Sequence, residues 1–264
     1  MTTGELTGLD QLLEIVYGAY TGSYEIDKLT DKYPLSIEEG YAIQQKLIQR
    51  LVERGGKIAG KKTGLTSKAK QQAMGVHEAC YGYLLADTLL EEGQPLSLGG
   101  LIHPRAEPEL AFVLARPLSG PGITGAQALA ATGEIRLALE IIDSRYRNFN
   151  FTLPDVVADN CSAGKLLLSK QGFTPARNDL RLMGLTLERN GELMYTGAGA
   201  AVLGHPANAV AWLANKLWEV EGRGLEAGEI VLAGAFTPAV EVKPGDTVEA
   251  TFAGVGTLRL ECAG

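Results

Sequence analysis

Two glutamates stand two positions apart in a largely apolar stretch, RAEPELAF, at residues 105–112. Because side chains alternate along a β-strand, a strand here would place Glu107 and Glu109 on the same face of a sheet. Like charges on one face repel, and apolar neighbours solvate them poorly. Two acids side by side in such a stretch are therefore unfavourable unless something offsets their repulsion.

A third acid, Glu140, lies inside a second apolar stretch, RLALEIIDS. An unpaired carboxylate is costly to bury, so Glu140 needs an explanation of the same kind as Glu107 and Glu109. Three glutamates on two strands can converge on a hard divalent cation, because Mg²⁺ and Mn²⁺ prefer oxygen ligands. The pattern alone leaves an alternative open, in which the acids lie on a solvated face or pair with Arg105 and Arg136.

Two lysines precede a turn rich in glycine, threonine and serine in GKKTGLTSKA, residues 60–69. A strand that ends in such a turn before a helix can offer an ammonium group and backbone N–H donors to an anionic substrate. Lys61 and Lys62 should point to opposite faces, so at most one of them faces a given pocket. Thr66, within the turn, is a candidate for the same substrate site. The alternative is a pair of solvated lysines.

The segment VVADNCSAGK, residues 156–165, contains small polar residues after an apolar run. Asn160 and Ser162 are candidates for a pocket rim, although the pattern is also typical of an ordinary loop. Cys161 is a weak candidate nucleophile, because no histidine partner is evident. The sequence contains no GxSxG, P-loop, HExxH or CxxC motif. Three isolated histidines are expected to be structural: His77, His103 and His205.

Two amphipathic helices are predicted near the N-terminus, in LDQLLEIVYGAY and SIEEGYAIQQKLIQRLVE, from apolar residues at helical spacing. Ser36 and Glu39 form a capping-box pattern at the start of the second helix. Neither helix can bury its apolar stripe alone. We therefore predict a helical cap, about residues 1–56, on a β-rich core, about residues 57–264.

The remaining chain alternates short strand-like stretches with glycine and proline. Strands are predicted in KIAGKKTGL, in both glutamate-bearing stretches, in an Asn190–Gly191 hairpin and in a C-terminal hairpin. Helices are predicted in SKAKQQAMG, TGAQALAATG and HPANAVAWLANKLWEVEG. Because few strand–helix–strand units occur, an α+β fold is favoured over a doubly wound parallel sheet. No repeat or linker is evident, so we predict one catalytic domain, residues 1–264.

Composition and charge limit the classes of partner. The 264 residues are 45% hydrophobic and 21% charged, which is ordinary for a globular protein. A formal net charge of -7 argues against nucleic acid or an anionic membrane as a partner. Neither a signal peptide nor a membrane-spanning run is evident, and three widely spaced cysteines indicate a reducing compartment. We therefore expect a soluble, cytoplasmic protein.

Several motifs, in order along the chain, carry a resemblance to known proteins: KxGLTSKAxQxxxGV, YGYL, HPRAEPELAFVL, ALEIIDSRY, VVADNCS, GAGAAVLGHP and VKPGDTV. Together they resemble the 2-oxopent-4-enoate hydratase and 4-oxalocrotonate decarboxylase family of aromatic meta-cleavage pathways, within the larger group that has the fumarylacetoacetate hydrolase fold. The resemblance extends from about the second predicted helix almost to the C-terminus. It implies a mixed β-roll core with an N-terminal helical cap.

The resemblance implies a role for each matching residue. The family's metal ligands fall on three glutamates, with Mg²⁺ as the implied ion and Mn²⁺ as the alternative: Glu107, Glu109 and Glu140. Its active-site lysine falls on Lys62. The backbone around Leu65 and the side chain of Ser162 match positions that line the substrate site, and we add Thr66 and Asn160 from the same two segments.

The implied chemistry is decarboxylation of 4-oxalocrotonate (2-oxo-3-hexenedioate) to 2-hydroxypenta-2,4-dienoate and CO2. A 2-oxo acid can chelate the metal, which then accepts charge from loss of the distal carboxylate through the C3–C4 double bond. Lys62 would hold the anionic substrate or manage a proton. Because the chelated ketone is itself the electron sink, no organic cofactor is expected.

Other activities stay open. Hydratases of the family typically carry an acid just before the YG dipeptide, where this sequence has Cys80; this favours decarboxylation unless Glu78 substitutes. A C–C bond hydrolase acting on acylpyruvates would need a base, for which His77 and Glu78 are the candidates. The resemblance also implies association with the sibling hydratase, and we expect a homo-oligomer. A non-enzymatic scaffold would give no reason for three converging glutamates.

Overall fold

The computed structural model describes residues 8–73 and 75–264, so residues 1–7 of the predicted cap and Met74 in the predicted third helix lie outside the described part. The helices are α1 (Gly8–Gly22), α2 (Ile37–Glu53), α3 (Lys68–Ala73), α4 (Gly125–Ala131), α5 (Leu153–Ala158) and α6 (Pro206–Glu221). The strands are β1 (Ile58–Gly64), β2 (Cys80–Leu85), β3 (Leu89–Leu90), β4 (Arg105–Leu114), β5 (Thr132–Ile142), β6 (Ala163–Phe173), β7 (Gly184–Arg189), β8 (Glu192–Ala198), β9 (Ile230–Leu232), β10 (Val240–Glu241), β11 (Thr247–Phe252) and β12 (Gly256–Glu261).

The strands form two sheets. The larger sheet has the order β2-β1-β9-β4-β5-β6-β3, and β10 also pairs with β4. It is mixed, because β1 pairs with β9 and β3 pairs with β6 in parallel, whereas the other pairs are antiparallel. The smaller sheet has the order β12-β11-β7-β8 and is antiparallel. The prediction of an α+β fold with a mixed β core is confirmed.

Strands β4 and β5 are antiparallel neighbours inside the larger sheet. In each strand one face is apolar and the other carries glutamate. Leu110 and Phe112 on one face are fully buried in the main hydrophobic core, which also includes residues of the smaller sheet and α6. The glutamate face adjoins a small apolar cluster: Leu84, Ala111, Ala138, Leu166 and Leu232. The large core therefore fixes these strands from one side, and their other side is left to carry polar groups.

The two N-terminal helices pack in a second buried cluster, distinct from that of the main core. Leu12 of α1 and Leu47 of α2 share a buried cluster with Tyr146, which lies outside the cap. The predicted capping box is confirmed, because the Ser36 side chain accepts from the Glu39 N–H and the Glu39 side chain accepts from the Ser36 N–H. Among the described residues, no helix combines the length and apolarity needed to cross a bilayer.

Among the elements near the glutamates that the sequence pattern does not predict are β2, β6 and α5. All six residues of β2 are buried, which removes the alternation that marks a strand. Helix α5 has six residues, too few for helical periodicity to be evident. Its Asp155 is buried and accepts hydrogen bonds from Thr30 N (3.0 Å) and Thr152 N (2.8 Å). The segment that the pattern leaves as a loop is therefore fixed by tertiary contacts.

Strand β2 lies at an edge of the larger sheet, and a side chain closes that edge. Asn160 Nδ2 donates to Tyr83 O (2.9 Å), and Asn160 Oδ1 accepts from Tyr83 N (2.7 Å), as a neighbouring strand would. The turn is strained, because Asn160, Cys161 and Ser162 have left-handed backbone angles, with φ of 50°, 49° and 55°. The hydrogen bonds to Tyr83 therefore hold a turn that the isolated chain would avoid.

We expect Asn160→Ala to lower the free energy of unfolding by about 2–4 kcal/mol, because the Tyr83 N–H and C=O each lose a buried partner. Urea unfolding measures this change. Asn148→Ala is the matched control, since Asn148 is exposed and also left-handed, with φ of 57°. Asn148→Ala also places alanine in a left-handed conformation, but it removes no hydrogen bonds to Tyr83. Equal losses in the two variants would contradict a role for the Asn160 amide.

Candidate active site

The three glutamates of β4 and β5 converge on one face of the sheet. Glu107 is the register partner of Glu140, and Glu109 lies two residues further along β4. One carboxylate oxygen from each residue lies within 4.8 Å of the others. All three residues are buried, with exposed fractions of 8% for Glu107, 1% for Glu109 and 1% for Glu140. The chain therefore concentrates three acids in a space that water barely reaches.

Two buried oxygens of this cluster lack a donor. Glu109 Oε2 accepts from Gly234 N at 2.8 Å, but Glu109 Oε1 and Glu140 Oε2 have no hydrogen-bond partner within residues 8–73 and 75–264. Burial raises the pKa of Glu109 well above its usual range, and the charges of Glu140 and Glu107 raise it further. A divalent cation would supply the missing positive charge, and an all-oxygen donor set fits Mg²⁺ or Mn²⁺.

Lys62 of β1 lies against the cluster. Its Nζ is 2.7 Å from Glu140 Oε1 and donates to Cys161 O at 3.0 Å. Burial lowers the pKa of Lys62, but Glu140 and other nearby anionic groups outweigh burial and leave the pKa above its ordinary value. The carboxylates therefore favour the protonated form of Lys62. Lys61 points to the opposite face, where its Nζ is 2.5 Å from Glu229 Oε1, so the alternative of two solvated lysines is wrong.

Neither Arg105 nor Arg136 forms an ion pair with the three glutamates in the described part of the chain. Arg136 pairs with its strand neighbour Glu134. The guanidinium of Arg105 stacks on the ring of Phe149, with its Cζ 3.9 Å from the ring centroid. Arg136 therefore has another partner, whereas Arg105 lowers the pKa of Glu107 through its charge without forming an ion pair with it.

A cavity of about 580 Å³ lies beside Lys62 and Glu107. Its wall includes Leu65, from the turn after β1, and Ser162, from the strained turn after α5. Leu65 is left-handed, with φ of 56°. Ser162 Oγ is buried and has no hydrogen-bond partner in the described chain. Both turns indicated by the sequence therefore reach the cavity, and Ser162 brings an unused hydroxyl to it.

Lys70 of α3 is a cavity residue that the sequence pattern does not indicate. Its Nζ is 2.8 Å from Glu107 Oε1, and its side chain lines the cavity. Burial raises the pKa of Glu107, but Lys70 and Lys62 outweigh burial and hold the pKa below its ordinary value. One feature of the sequence could have indicated Lys70. It lies in a short helix directly after the turn that ends β1, close in sequence to Lys62.

Comparison with known proteins places this geometry in a family. The sequence profile of the fumarylacetoacetate (FAA) hydrolase C-terminal region matches residues 58–262. The chain belongs to the fumarylacetoacetate hydrolase family. The mixed sheet with an N-terminal helical region is the architecture of this family.

Among fumarylacetoacetate hydrolase family members, the chain is similar to both decarboxylases and hydratases. It is 42% identical over 245 residues to the 4-oxalocrotonate decarboxylase of Pseudomonas sp. (strain CF600), with 92% of each chain covered. It is 40% identical over 253 residues to the 2-keto-4-pentenoate hydratase of Paraburkholderia xenovorans (strain LB400), covering 96% of this chain and 94% of the relative. The structure of 4-oxalocrotonate decarboxylase from Pseudomonas putida G7, complexed with magnesium and adipate, matches with a TM-score of 0.93 and 38% identity, covering 97% of this chain and 98% of that one.

Two residues predicted to bind substrate do not line the cavity in this family member: Thr66 and Asn160. Thr66 is buried against Gly234, where a Cβ would lie 2.1 Å from Thr66 Oγ1 and where φ is +103°. Because residue 234 is glycine, its backbone can adopt this angle and its N–H can donate to Glu109. Asn160 uses both amide atoms on the backbone of Tyr83. Each of the two side chains therefore contacts a neighbouring backbone segment, and a role for Thr66 and Asn160 in substrate binding stays a prediction.

The groups considered for water activation or nucleophilic attack are not assembled at this site. His77 is exposed, and Glu78 Oε2 is 3.3 Å from Lys216 Nζ on α6. Burial and the neighbouring Cys80 raise the pKa of Cys161 well above its usual range. Cys161 is therefore a neutral thiol and a poor nucleophile. Cys80 itself lines the cavity.

We expect Glu109→Gln to weaken Mn²⁺ binding and to stabilise the metal-free protein. The amide removes one of three buried charges and can donate to Glu140, so the free energy of unfolding without metal should rise by about 1–2 kcal/mol. Loss of an anionic ligand should weaken Mn²⁺ binding by roughly 100-fold or more. Calorimetric titration and urea unfolding measure the two effects.

Glu134→Gln is the control, because Glu134 lies on the same strand as Glu140 with a side chain that is 39% exposed. It should change neither metal affinity nor the free energy of unfolding appreciably. If Glu109→Gln destabilised the metal-free protein, the carboxylate would have a structural role instead.

Proposed function

We propose that this protein is a Mg²⁺-dependent carbon–carbon lyase that decarboxylates 4-oxalocrotonate (2-oxo-3-hexenedioate) to 2-hydroxypenta-2,4-dienoate and CO2 in aromatic meta-cleavage catabolism. Mn²⁺ is the alternative ion, and no organic cofactor is needed. The observation that carries the proposal is the buried cluster of three glutamates with unpartnered oxygens beside Lys62. Relatives named 4-oxalocrotonate decarboxylase, at 42% and 41% identity, support it.

In this proposal, Glu107, Glu109 and Glu140 hold the cation. A divalent cation supplies Lewis acidity that draws electrons toward the 2-oxo oxygen of a 2-oxo acid. Lys62 Nζ lies 2.7 Å from Glu140 Oε1, where it would hold the anionic substrate or manage a proton. Ser162 lines the cavity and its buried Oγ has no partner in the described chain, so this hydroxyl is the candidate donor to the substrate. The residues thus favour negative charge at the 2-oxo end.

The electron balance of the reaction matches these groups. The bond between C5 and C6 breaks, and C6 leaves as CO2. The released pair forms the C4–C5 double bond, and the C3–C4 π pair moves to C2–C3. Negative charge then resides on the 2-oxo oxygen, which takes up a proton to give the enol. No proton is added to carbon and no water is consumed, so the reaction does not require the acid that Cys80 replaces.

The charge of the site favours a diacid. Three cationic side chains line the cavity: Lys62, Lys70 and Arg105. Together with three carboxylates and one divalent cation, they leave two positive charges. A 2-oxo diacid balances both charges, whereas a dienoate with one carboxylate balances only one.

A hydratase acting on 2-hydroxypenta-2,4-dienoate is the second candidate, because hydratases are 38% and 40% identical to this chain. Water addition needs a group that delivers a proton. Cys80 occupies the cavity position that the resemblance gives to the hydratase acid, and Glu78 is paired with Lys216 outside the cavity wall. These observations favour decarboxylation.

The proposal is tested with purified protein, Mg²⁺ and 2-oxo-3-hexenedioate. CO2 release together with dienoate absorbance is expected. Formation of a 4-hydroxy-2-oxo acid from added dienoate, without CO2 from the diacid, would replace the decarboxylase with the hydratase. Activity on an acylpyruvate alone would instead indicate a C–C bond hydrolase.

We expect Lys62→Met to lower kcat by roughly 100-fold or more, because it removes a preorganised cation from the end of the cavity where negative charge develops. Steady-state decarboxylation measures the effect, and Mn²⁺ titration checks that the metal still binds. Lys68→Met is the control, since Lys68 is exposed on α3, and it should leave kcat within about twofold. A Lys62→Met enzyme with unchanged kcat would remove Lys62 from the mechanism.

We also propose that the protein forms complexes and is located in the cytoplasm. The product is the compound that a sibling hydratase would consume, and 2-hydroxypent-2,4-dienoate hydratase is among the relatives. We therefore include association with that hydratase, and self-association into a homo-oligomer, which light scattering of the single and mixed proteins measures. The free, buried cysteines Cys80, Cys161 and Cys262 suit a reducing cytoplasm.

A further inference from the structure

Beyond the metal end of the cavity, we propose that Arg105 is a specificity-determining residue that binds the second carboxylate of the substrate. This role rests on the proposed function, since it requires a 2-oxo diacid. The position of Arg105, the contact that orients it and its lack of an ionic partner each support the role.

Arg105 lies on the glutamate face of β4, at the end away from Glu109. It is one step beyond Glu107 on that face, about 6.6–6.8 Å along the strand. Its register partner on β5 is Ile142, and both residues line the cavity together with Phe149. This end of the cavity therefore combines one cation with apolar walls. An extended six-carbon diacid with its 2-oxo end at the glutamates would bring its other carboxylate to Arg105.

Phe149 orients the guanidinium. Its ring contacts both Arg105, whose Cζ is 3.9 Å from the ring centroid, and His103, whose ring centroid is 4.6 Å away. Phe149 and Asn148 both have left-handed backbones, with φ of 55° and 57°. Bulky residues rarely adopt this conformation, and it persists only where the surrounding structure fixes it. The strained turn thus places a flat surface against Arg105.

The edge of the guanidinium is available to a ligand. At 3.9 Å from Cζ to the ring centroid, Phe149 contacts the guanidinium, and a guanidinium stacked on an aromatic face keeps its in-plane N–H donors free to bind a carboxylate in a bidentate manner. Lys62 and Lys70 are each paired with a cavity glutamate, whereas Arg105 makes no ion pair in the part of the chain that the structure describes. Glu241, its register partner on β10, has its carboxylate 3.8 Å from Lys243 Nζ instead.

The contact should act on binding more than on the chemical step. The distal carboxylate loses its charge as CO2 forms, so its ion pair with Arg105 is strongest before the bond breaks. Removal of the guanidinium should therefore raise KM for 2-oxo-3-hexenedioate at least about tenfold and leave kcat within about threefold. A monocarboxylate would leave Arg105 unpaired in the cavity, and this discriminates against it.

The experiment compares two unreactive probes on the Mg²⁺-loaded protein by calorimetry. 2-Oxoadipate has both carboxylates, and 2-oxohexanoate has the same chain length without the distal one. The wild-type protein should bind 2-oxoadipate about 30-fold more tightly, and Arg105→Gln should reduce this preference below about threefold. Affinities for 2-oxohexanoate and Mn²⁺ should stay within about twofold. Arg136→Gln, which removes an arginine paired with Glu134, should keep the full preference.

Phe149→Leu is a second variant that retains the charge and removes the stacking surface, and its preference should fall by about 3–10-fold. A diacid preference that survives in Arg105→Gln would overturn the role of Arg105. Equal loss of affinity for both probes would overturn it too, because it would indicate a structural defect. A wild-type protein without diacid preference would overturn both this role and the diacid substrate. Diacid preference without CO2 release would count against the proposed reaction and would still support Arg105.

Discussion

Mutual repulsion of three buried carboxylates is the constraint on which the rest of the site depends. In a medium of low polarity, such charges cannot coexist unless opposite charge is brought to them. Lys62 and Lys70 pair with two of the acids, and Glu109 is left with a single backbone donor. The fold tolerates this deficit because β4 and β5 are fixed by a large apolar core on their other face. The remaining charge deficit is what a divalent cation can fill.

Backbone strain is concentrated around the cavity. Leu65, Phe149 and the turn from Asn160 to Ser162 are left-handed without being glycine. Such conformations persist where neighbouring contacts fix them, and the pairing of Asn160 with Tyr83 is one of these contacts. The result is a rigid wall whose charges and hydroxyl are already oriented, and this is the form in which electrostatic stabilisation is most effective.

The cavity has two chemically different ends. One end carries the glutamates and Lys62 and suits a 2-oxo acid. Decarboxylation and hydration both need such an end. The other end carries the pair of Arg105 and Phe149, and Cys80 also lines the cavity. Because relatives with both names are about equally similar to this chain, overall identity does not separate the two reactions. The chemistry is separated by a few side chains on a shared scaffold.

The sequence by itself determined that Glu107 and Glu109 share one face, because strand alternation is a local rule, and it likewise determined the α2 capping box and the Asn190–Gly191 hairpin. The family resemblance of the ordered motifs predicted Lys62 and Ser162 as site residues, and both line the cavity. Only the tertiary structure decided that Lys70 and Arg105 belong to the cavity, that Asn160 does not, and that β2, β6 and α5 exist. These features depend on contacts between segments far apart in sequence, such as Lys70 with Glu107 and Asn160 with Tyr83. Local periodicity carries no information about which distant segments meet.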